Sequence, residues 1–469
     1  MSTEKTQADL LREQLFRRSK HACEVMDAAQ IAEADEFCEG YKRYLDLCKT
    51  ERECASWTIA RAEKIGFVPF EEGKQYEPGA KIYVNNRDKA VILAVLGSKP
   101  LEAGLRIAAA HIDSPRLDLK QQPLYEDKGL ALAKTHYYGG VRKYQWVTIP
   151  LALHGVVAKK DGSLVQIVIG EKDGDPRFCI TDLLPHLANE QGDRKLKEGI
   201  KGEELNIVIG SRPLMMDGKA EGLKLHILKI LHDDYGIDEE DLISAEFEAV
   251  PAINACDIGF DRSLIGAYGH DDRVCAYPCG EAIFQLNNPE YTAVTVLADK
   301  EEIGSEGNTG LNASYLMDFF TDLAQAQGQN PRVMLRNSKC ISADVDAGFD
   351  PTWPSVMDPL NSAYMNFGLV MTKYTGHRGK AGASDANAEF VGWLRCVLDD
   401  ANIHWQAGQL GKVDEGGGGT LAMFLAKLNI DVVDLGVPLL SMHAPFELAA
   451  KTDVAMMFWA CAAFFEAGA

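Results

Sequence analysis

Apolar positions recur at helical spacing through the first 65 residues. Leu10, Leu11, Leu15 and Phe16 open one amphipathic pattern, and Phe37, Tyr41, Tyr44 and Leu45 carry a second. Thr50 and Glu53 form a capping box ahead of Trp57, Ile59, Ala62 and Ile65, with Gly66 placed to end that helix. The period then changes. KIYVNN, AVILAVLG and LRIAAAH are apolar runs of strand length, punctuated by Gly, Asn and Pro. Residues 116–247 read differently again, with alternating strands, a hairpin turn at Asp161-Gly162 and a charged stretch, GDRKLKEGIKGEE. Beyond 248, apolar strands such as TAVTVLAD and KCISADV alternate with helical YLMDFFTDLAQAQ, EFVGWLRCVLDDA and VAMMFWACAAFF. This pattern predicts an α/β sheet with helices on its faces, formed by 1–115 and 248–469 and interrupted by a β-rich insertion at 116–247.

Composition narrows the function classes. The chain has 469 residues, 46% apolar and 25% charged, which is ordinary for a globular protein and large enough for full-sized cores. A formal charge of −21 repels phosphate backbones and anionic lipid, arguing against nucleic acid or membrane partners, and it attracts cations. The apolar run 454–465 lies between Asp453 and Glu466. It is shorter than the roughly 20 residues that span a bilayer. MSTEKTQADL lacks the apolar core of a signal peptide. Eleven scattered cysteines without a paired framework fit reduced thiols and a cytoplasmic location.

The chemistry-bearing residues fall where the strands end, and in open α/β sheets sites lie just outside strand carboxyl ends. RIAAA is followed by His111-Ile-Asp113-Ser114-Pro115, and VTVLAD by Lys300-Glu301-Glu302-Ile-Gly304. KCIS leads into Asp344 with Asp346 beyond it, and DLGVPLLSM ends at His443. IGAYGHDDR adds His270, Asp271 and Asp272 ahead of a helical segment. Two histidines and at least three carboxylates are the donors that a divalent metal pair takes. Imidazole and carboxylate ligate hydrolytic zinc, and paired metals share a bridging carboxylate. In an adjacent Glu-Glu pair, one side chain can turn to the metal while its neighbour takes a proton from the attacking water. In His-x-Asp, the acid can hold the histidine's far nitrogen and fix its tautomer. Singly, each feature is ordinary: strand-end histidines are commonly satisfied core or surface residues, and paired acids are commonly solvated loops. Their joint occurrence at five strand-end or loop positions points to a metal hydrolase.

His111-Ile-Asp113-Ser114-Pro115, Asp299-Lys-Glu301-Glu302-Ile-Gly-Ser305, Ile341-Ser-Ala-Asp344 and Ser441-Met-His443 closely resemble motifs of the aspartyl aminopeptidase and vacuolar aminopeptidase family, metallopeptidase family eighteen. The resemblance extends from Lys49-Thr-Glu-Arg-Glu53 to the final helix. It implies a zinc-peptidase α/β domain of the phosphorylase/hydrolase type, with an inserted β-rich dimerisation domain and assembly into tetrahedral dodecamers. Carried over, it makes Asp271 the bridge between two divalent ions, with His111 and Asp344 completing one site and Glu302 and His443 the other. Glu301 becomes the general base and Asp113 the partner of His111. His154, in IPLALHGV, sits where the family offers a histidine to a neighbouring subunit. The implied metal is zinc, with cobalt or manganese as alternatives, because such ligands discriminate poorly among divalent ions.

The departures bear on specificity. Aspartyl aminopeptidases resemble Asp-x-Ala-His-Ala after the metal aspartate and continue with His-Pro, whereas this chain has Asp344-Val-Asp346-Ala-Gly348 and Asp350-Pro351. Asp272 stands where many relatives have Asn. These differences resemble the bacterial "aminopeptidase 1" branch. Two extra acids disfavour an acidic N-terminal side chain and favour a neutral or basic one. Lys373, in MTKYTGHRGKAG, is either a substrate contact or an exposed loop lysine. His377 reads as solvent, and His136 in THYYGG as structural. The four-glycine loop 416–419 lacks the Lys-Ser/Thr of a nucleotide loop, so Gly417 and Gly418 read as a pocket wall that backbone must approach closely. Ser114 precedes Pro115 and does not sit in a nucleophile elbow. Cys275 and Cys279 read as core. The resulting expectation is a cytoplasmic dinuclear metallo-aminopeptidase acting on peptides. A deacylase or carboxypeptidase with the same metals, aspartyl specificity, and a non-enzymatic assembly scaffold are the alternatives.

Overall fold

A computed structural model describes residues 5–17 and 19–468. Residues 1–4, part of the N-terminal stretch read above, lie outside the described residues. The helical opening resolves into Gln7–Leu15, Ala28–Leu47 and Glu51–Lys64. The third starts as the sequence dictates. The Thr50 hydroxyl accepts the Glu53 N–H, and the Glu53 carboxylate accepts the N–H groups of Lys49 and Thr50. Such caps contribute about 1 kcal/mol. Gly66, at φ +93°, ends the helix in the left-handed region open to glycine.

Nine strands form the central sheet, in the order Val68–Pro69, Lys81–Asn86, Ala90–Val95, Ala293–Ala298, Arg106–His111, Lys339–Ser342, Asp431–Gly436, Leu369–Thr372 and Trp405–Ala407. The four strands at its centre, Ala293–Ala298 through Asp431–Gly436, are parallel, so their carboxyl ends share one edge. Alternate residues feed two cores, as the two-residue period of a strand requires. Val91, Leu93 and Ala110 face a layer that includes helices Ala28–Leu47, His270–Phe284 and Lys451–Glu466. Ile92, Ala94 and Ala109 face a layer that includes Tyr315–Ala326 and Ala422–Ala426. Phe320, Phe464 and Phe465 are fully buried there. Each such side chain stabilises by about 1.5–3 kcal/mol relative to exposure.

The insertion forms a separate seven-stranded sheet, antiparallel throughout, in the order Leu164–Ile169, Leu151–Ala158, Ala245–Pro251, Arg116–Asp127, Leu130–Tyr138, Asn206–Gly210 and Cys179–Ile180. Asp161 and Gly162 lie in the loop of the hairpin formed by Leu151–Ala158 and Leu164–Ile169. Its returning strand runs on to Pro251, past residue 247, because all seven of its residues pair with Leu151–Ala158. The insertion also holds a 13-residue helix, Leu223–Tyr235, which a reading dominated by alternation passes over. A further, five-stranded sheet carries Asp346–Ala347, Pro438–Leu440 and Glu447–Ala450. No helix among the described residues is long and apolar enough to cross a membrane.

Candidate metal centre

Three of the four central parallel strands deliver their next residues to one place. His111 ends its strand, Glu301 and Glu302 open the short helix that follows Ala293–Ala298, and Asp344 follows Lys339–Ser342. Asp271 comes from the start of helix His270–Phe284, and His443 from the turn after Pro438–Leu440. His111 Nε2 lies 3.1 Å from Asp271 Oδ1, 4.0 Å from Asp344 Oδ1 and 3.8 Å from Glu301 Oε2. His443 Nε2 lies 3.1 Å from Asp271 Oδ2 and 3.5 Å from Glu302 Oε1. The two oxygens of Asp271 therefore face different histidines. Ligand atoms within 4.8 Å of one another form three sets: His111, Asp271 and Asp344; Asp271, Glu302 and His443; and His111, Glu301 and Glu302.

Both histidines turn Nε2 inward because Nδ1 is engaged elsewhere. His111 Nδ1–H donates to the Asp113 carbonyl at 3.0 Å, with Asp113 Oδ1 at 3.3 Å. His443 Nδ1–H donates to the Gly140 carbonyl at 3.2 Å. Asp113 is a hub. Oδ1 accepts the Glu301 N–H at 3.1 Å, and Oδ2 accepts the Glu302 N–H at 3.2 Å and the Tyr138 hydroxyl at 2.8 Å. Burial opposes its charge, yet His111, Tyr138 and Arg116 hold the carboxyl below its ordinary range. Glu447 is a second hub, accepting the His443 N–H at 2.7 Å and the Asp271 N–H at 3.2 Å. Sequence reasoning missed Tyr138, Gly140 and Glu447. Only Glu447 left a signal, as an acid buried in an apolar strand four residues after His443.

The donor set fits divalent cations. Asp271, Glu301, Glu302 and Asp344 converge on two imidazoles, and among the described residues none of the four pairs with Lys or Arg. Glu302 Oε1 is buried without a hydrogen-bond donor, which carries a desolvation cost unless a cation faces it. Burial first, then neighbouring carboxylates, pushes the Glu302 and Asp344 carboxyls well up, and burial takes Glu301 to about 7. Burial would lower His443, but Asp271 and Glu302 hold its proton and push it up to about 10. Without metal, protons thus collect where cations would sit.

The remaining expected residues lie outside this cluster. His154 is buried within its own chain, with Nδ1 2.7 Å from Glu53 and Nε2 2.9 Å from Glu171. Asp346 is buried and accepts the Thr372 hydroxyl at 2.7 Å, so it does not present a free carboxylate to a pocket. Lys373 is half-exposed and donates to Asp385 at 2.9 Å. A Cβ on Gly417 would meet the Gly376 carbonyl, and Gly376 N–H donates to the Gly418 carbonyl at 2.6 Å. Cys275 and Cys279 are buried in the core.

Comparison with known proteins identifies the family. A family model, Aminopeptidase I zinc metalloprotease (M18), matches residues 44–465. A probable M18 family aminopeptidase 1 of Clostridium acetobutylicum is 48% identical over 448 residues, covering 94% of this chain and 96% of the relative. The crystal structure of an M18 family aminopeptidase from Thermotoga maritima superposes with a TM-score of 0.92 at 42% identity, covering 96% of this chain and 100% of that one. The mApe1 dodecamer of S. cerevisiae shares the fold at 18% identity, with a TM-score of 0.74 over 92% of this chain and 97% of that one. The chain therefore belongs to the M18 family of zinc metallo-aminopeptidases.

Proposed function

We propose that this metallo-aminopeptidase works with two divalent ions, zinc first among them, that share Asp271. His111 and Asp344 would hold one ion, and Glu302 and His443 the other. The observation that carries this reading is the opposed engagement of the two Asp271 oxygens by two histidines. When bound, such a pair supplies Lewis acidity, polarising the scissile carbonyl and lowering the pKa of water. Glu301 is the general base. It belongs to neither set that shares Asp271, and its raised carboxyl can take a proton at Oε2 and return it to the leaving amine. Asp113 positions the base by accepting its N–H and fixes His111 by accepting Nδ1–H.

We infer a preference for neutral or basic N-terminal residues. Asp346 and Asp350, which follow Asp344 closely in the chain, would disfavour an acidic side chain through their field. Lys373 and the loop with Gly417 and Gly418 remain the proposed substrate-facing wall. The sheet built from 116 onward would serve dimerisation, and dimers would assemble into a dodecamer like that of the yeast relative. Eleven free cysteines support a cytoplasmic setting. A panel of aminoacyl-p-nitroanilides carrying Asp, Glu, Leu, Met, Lys or Arg, assayed on metal-loaded enzyme, tests the reading. Chelator-sensitive release from Leu, Met or Lys with little from Asp supports it. Preference for Asp or Glu refutes the specificity, and no release from any refutes the aminopeptidase.

A further inference from the structure

The motif THYYGG, read from the sequence as structural, comes back to the metal centre. Strand Leu130–Tyr138 belongs to the inserted sheet, and its register sets Tyr138 opposite Arg116, only five residues after His111. Three consecutive residues then touch three different parts of the cluster. Tyr138 is 9% exposed and donates its hydroxyl to Asp113 Oδ2 at 2.8 Å, while the Arg116 guanidinium lies 4.0 Å above its ring. Gly139 adopts φ +74°, and a Cβ there would stand 3.2 Å from Glu302 Oε2 and 3.3 Å from Glu302 Cβ. Gly140 accepts the His443 Nδ1–H, and a Cβ on it would stand 2.9 Å from that same nitrogen.

We propose that residues 138–140 are a positioning segment through which the inserted sheet fixes both halves of the metal centre. Tyr138 acts through Asp113, whose carbonyl accepts the His111 Nδ1–H and whose Oδ2 also accepts the Glu302 N–H, and the two glycines serve the Glu302–His443 half by close backbone approach. The physical reason is the tautomer. An imidazole presents Nε2 as a ligand only when Nδ1 keeps its proton, and each Nδ1–H here has a backbone carbonyl acceptor. Gly140 sits at a backbone angle that alanine tolerates, so the reason for glycine is the proximity of the His443 ring. Gly139 needs both the missing Cβ and the left-handed angle.

This inference rests on the two-metal reading, and its test separates the two. Metal-stripped protein is titrated with Zn2+ against a chromophoric chelator, for wild type, Tyr138→Phe, Gly140→Ala and the double variant. The wild type should take up two equivalents per chain. Gly140→Ala should keep one equivalent at wild-type affinity and bind the other about 10–100-fold more weakly, the usual scale for groups that orient ligands, and Tyr138→Phe should weaken uptake on the same scale. The double variant should weaken both. A merely structural defect in Gly140→Ala would weaken both equivalents alike. Two equivalents at wild-type affinity in all variants overturns the inference and leaves the two-metal reading standing. One equivalent in the wild type overturns both. Should Gly140→Ala fail to fold, Tyr138→Phe decides alone, because phenylalanine keeps the ring beneath Arg116 and loses only the hydroxyl.

Discussion

Strand Arg106–His111 of the central sheet is buried along all six residues, whereas in strand Leu164–Ile169 of the inserted sheet only Ile167 is. The first is covered by helices on both faces, and the second shows the alternation of a sheet covered on one face. The difference extends to chemistry. The central sheet supplies three ligand-bearing strand ends directly, because a shared parallel direction gathers them at one edge. The inserted sheet supplies no residue of the Asp271-sharing sets, yet it holds His443 through Gly140 and Asp113 through Tyr138. One sheet presents the ligands and the other keeps them in their working orientation.

Substitutions at the two sheets should therefore fail differently. The largest effect is expected at Asp271, where Asp271→Ala removes the acceptor common to both histidines. Metal analysis by mass spectrometry should find neither site filled, and turnover should vanish with it. Glu301→Gln should lower kcat by about 10^2–10^4-fold with metal content near wild type. Active Glu301→Gln enzyme would remove the base assignment. Asp113→Asn stands between ligand and scaffold and should weaken metal binding about 10–100-fold, read by chelator competition.

Acidity should weaken metal binding at both halves. In the metal-free chain His443 holds its proton up to about 10, against an ordinary imidazole value of about 6.5, so at neutral pH metal must displace that proton. Apparent affinity should fall by about tenfold per proton displaced for each unit of acidification, and calorimetry in buffers of different ionisation enthalpy should register the released proton. The smallest effect on catalysis is expected at His154, which lies between Glu53 and Glu171 away from the ligands. His154→Gln should lower the thermal midpoint and leave metal stoichiometry unchanged, as measured by melting and metal analysis of the same preparation.

The same contrast explains what the sequence revealed. RIAAAH, TAVTVLAD and KCIS are uninterrupted apolar runs because buried parallel strands need them, so the residues that end them stood out. Asp271 stood out through its paired acid ahead of a helix. Tyr138 and Gly140 did not, because an aromatic followed by two glycines at a strand end is ordinary turn chemistry until the fold sets it against Asp113 and His443. The surroundings of His154 were hidden for a related reason. A histidine in an apolar strand can be free or satisfied, and Glu53 and Glu171, which satisfy it, are 101 and 17 residues away in the chain. Asp346 is two residues from Asp344, and its hydrogen bond to Thr372, 26 residues away, left no mark in the sequence.

The central claim is that the two oxygens of Asp271 serve two metal ions. Anomalous diffraction at the zinc edge, from crystals of the zinc-loaded protein, tests it most directly. The account predicts two peaks per chain, one between Asp271, His111 and Asp344 and one between Asp271, Glu302 and His443. A single peak, or a second peak away from Asp271, would contradict it.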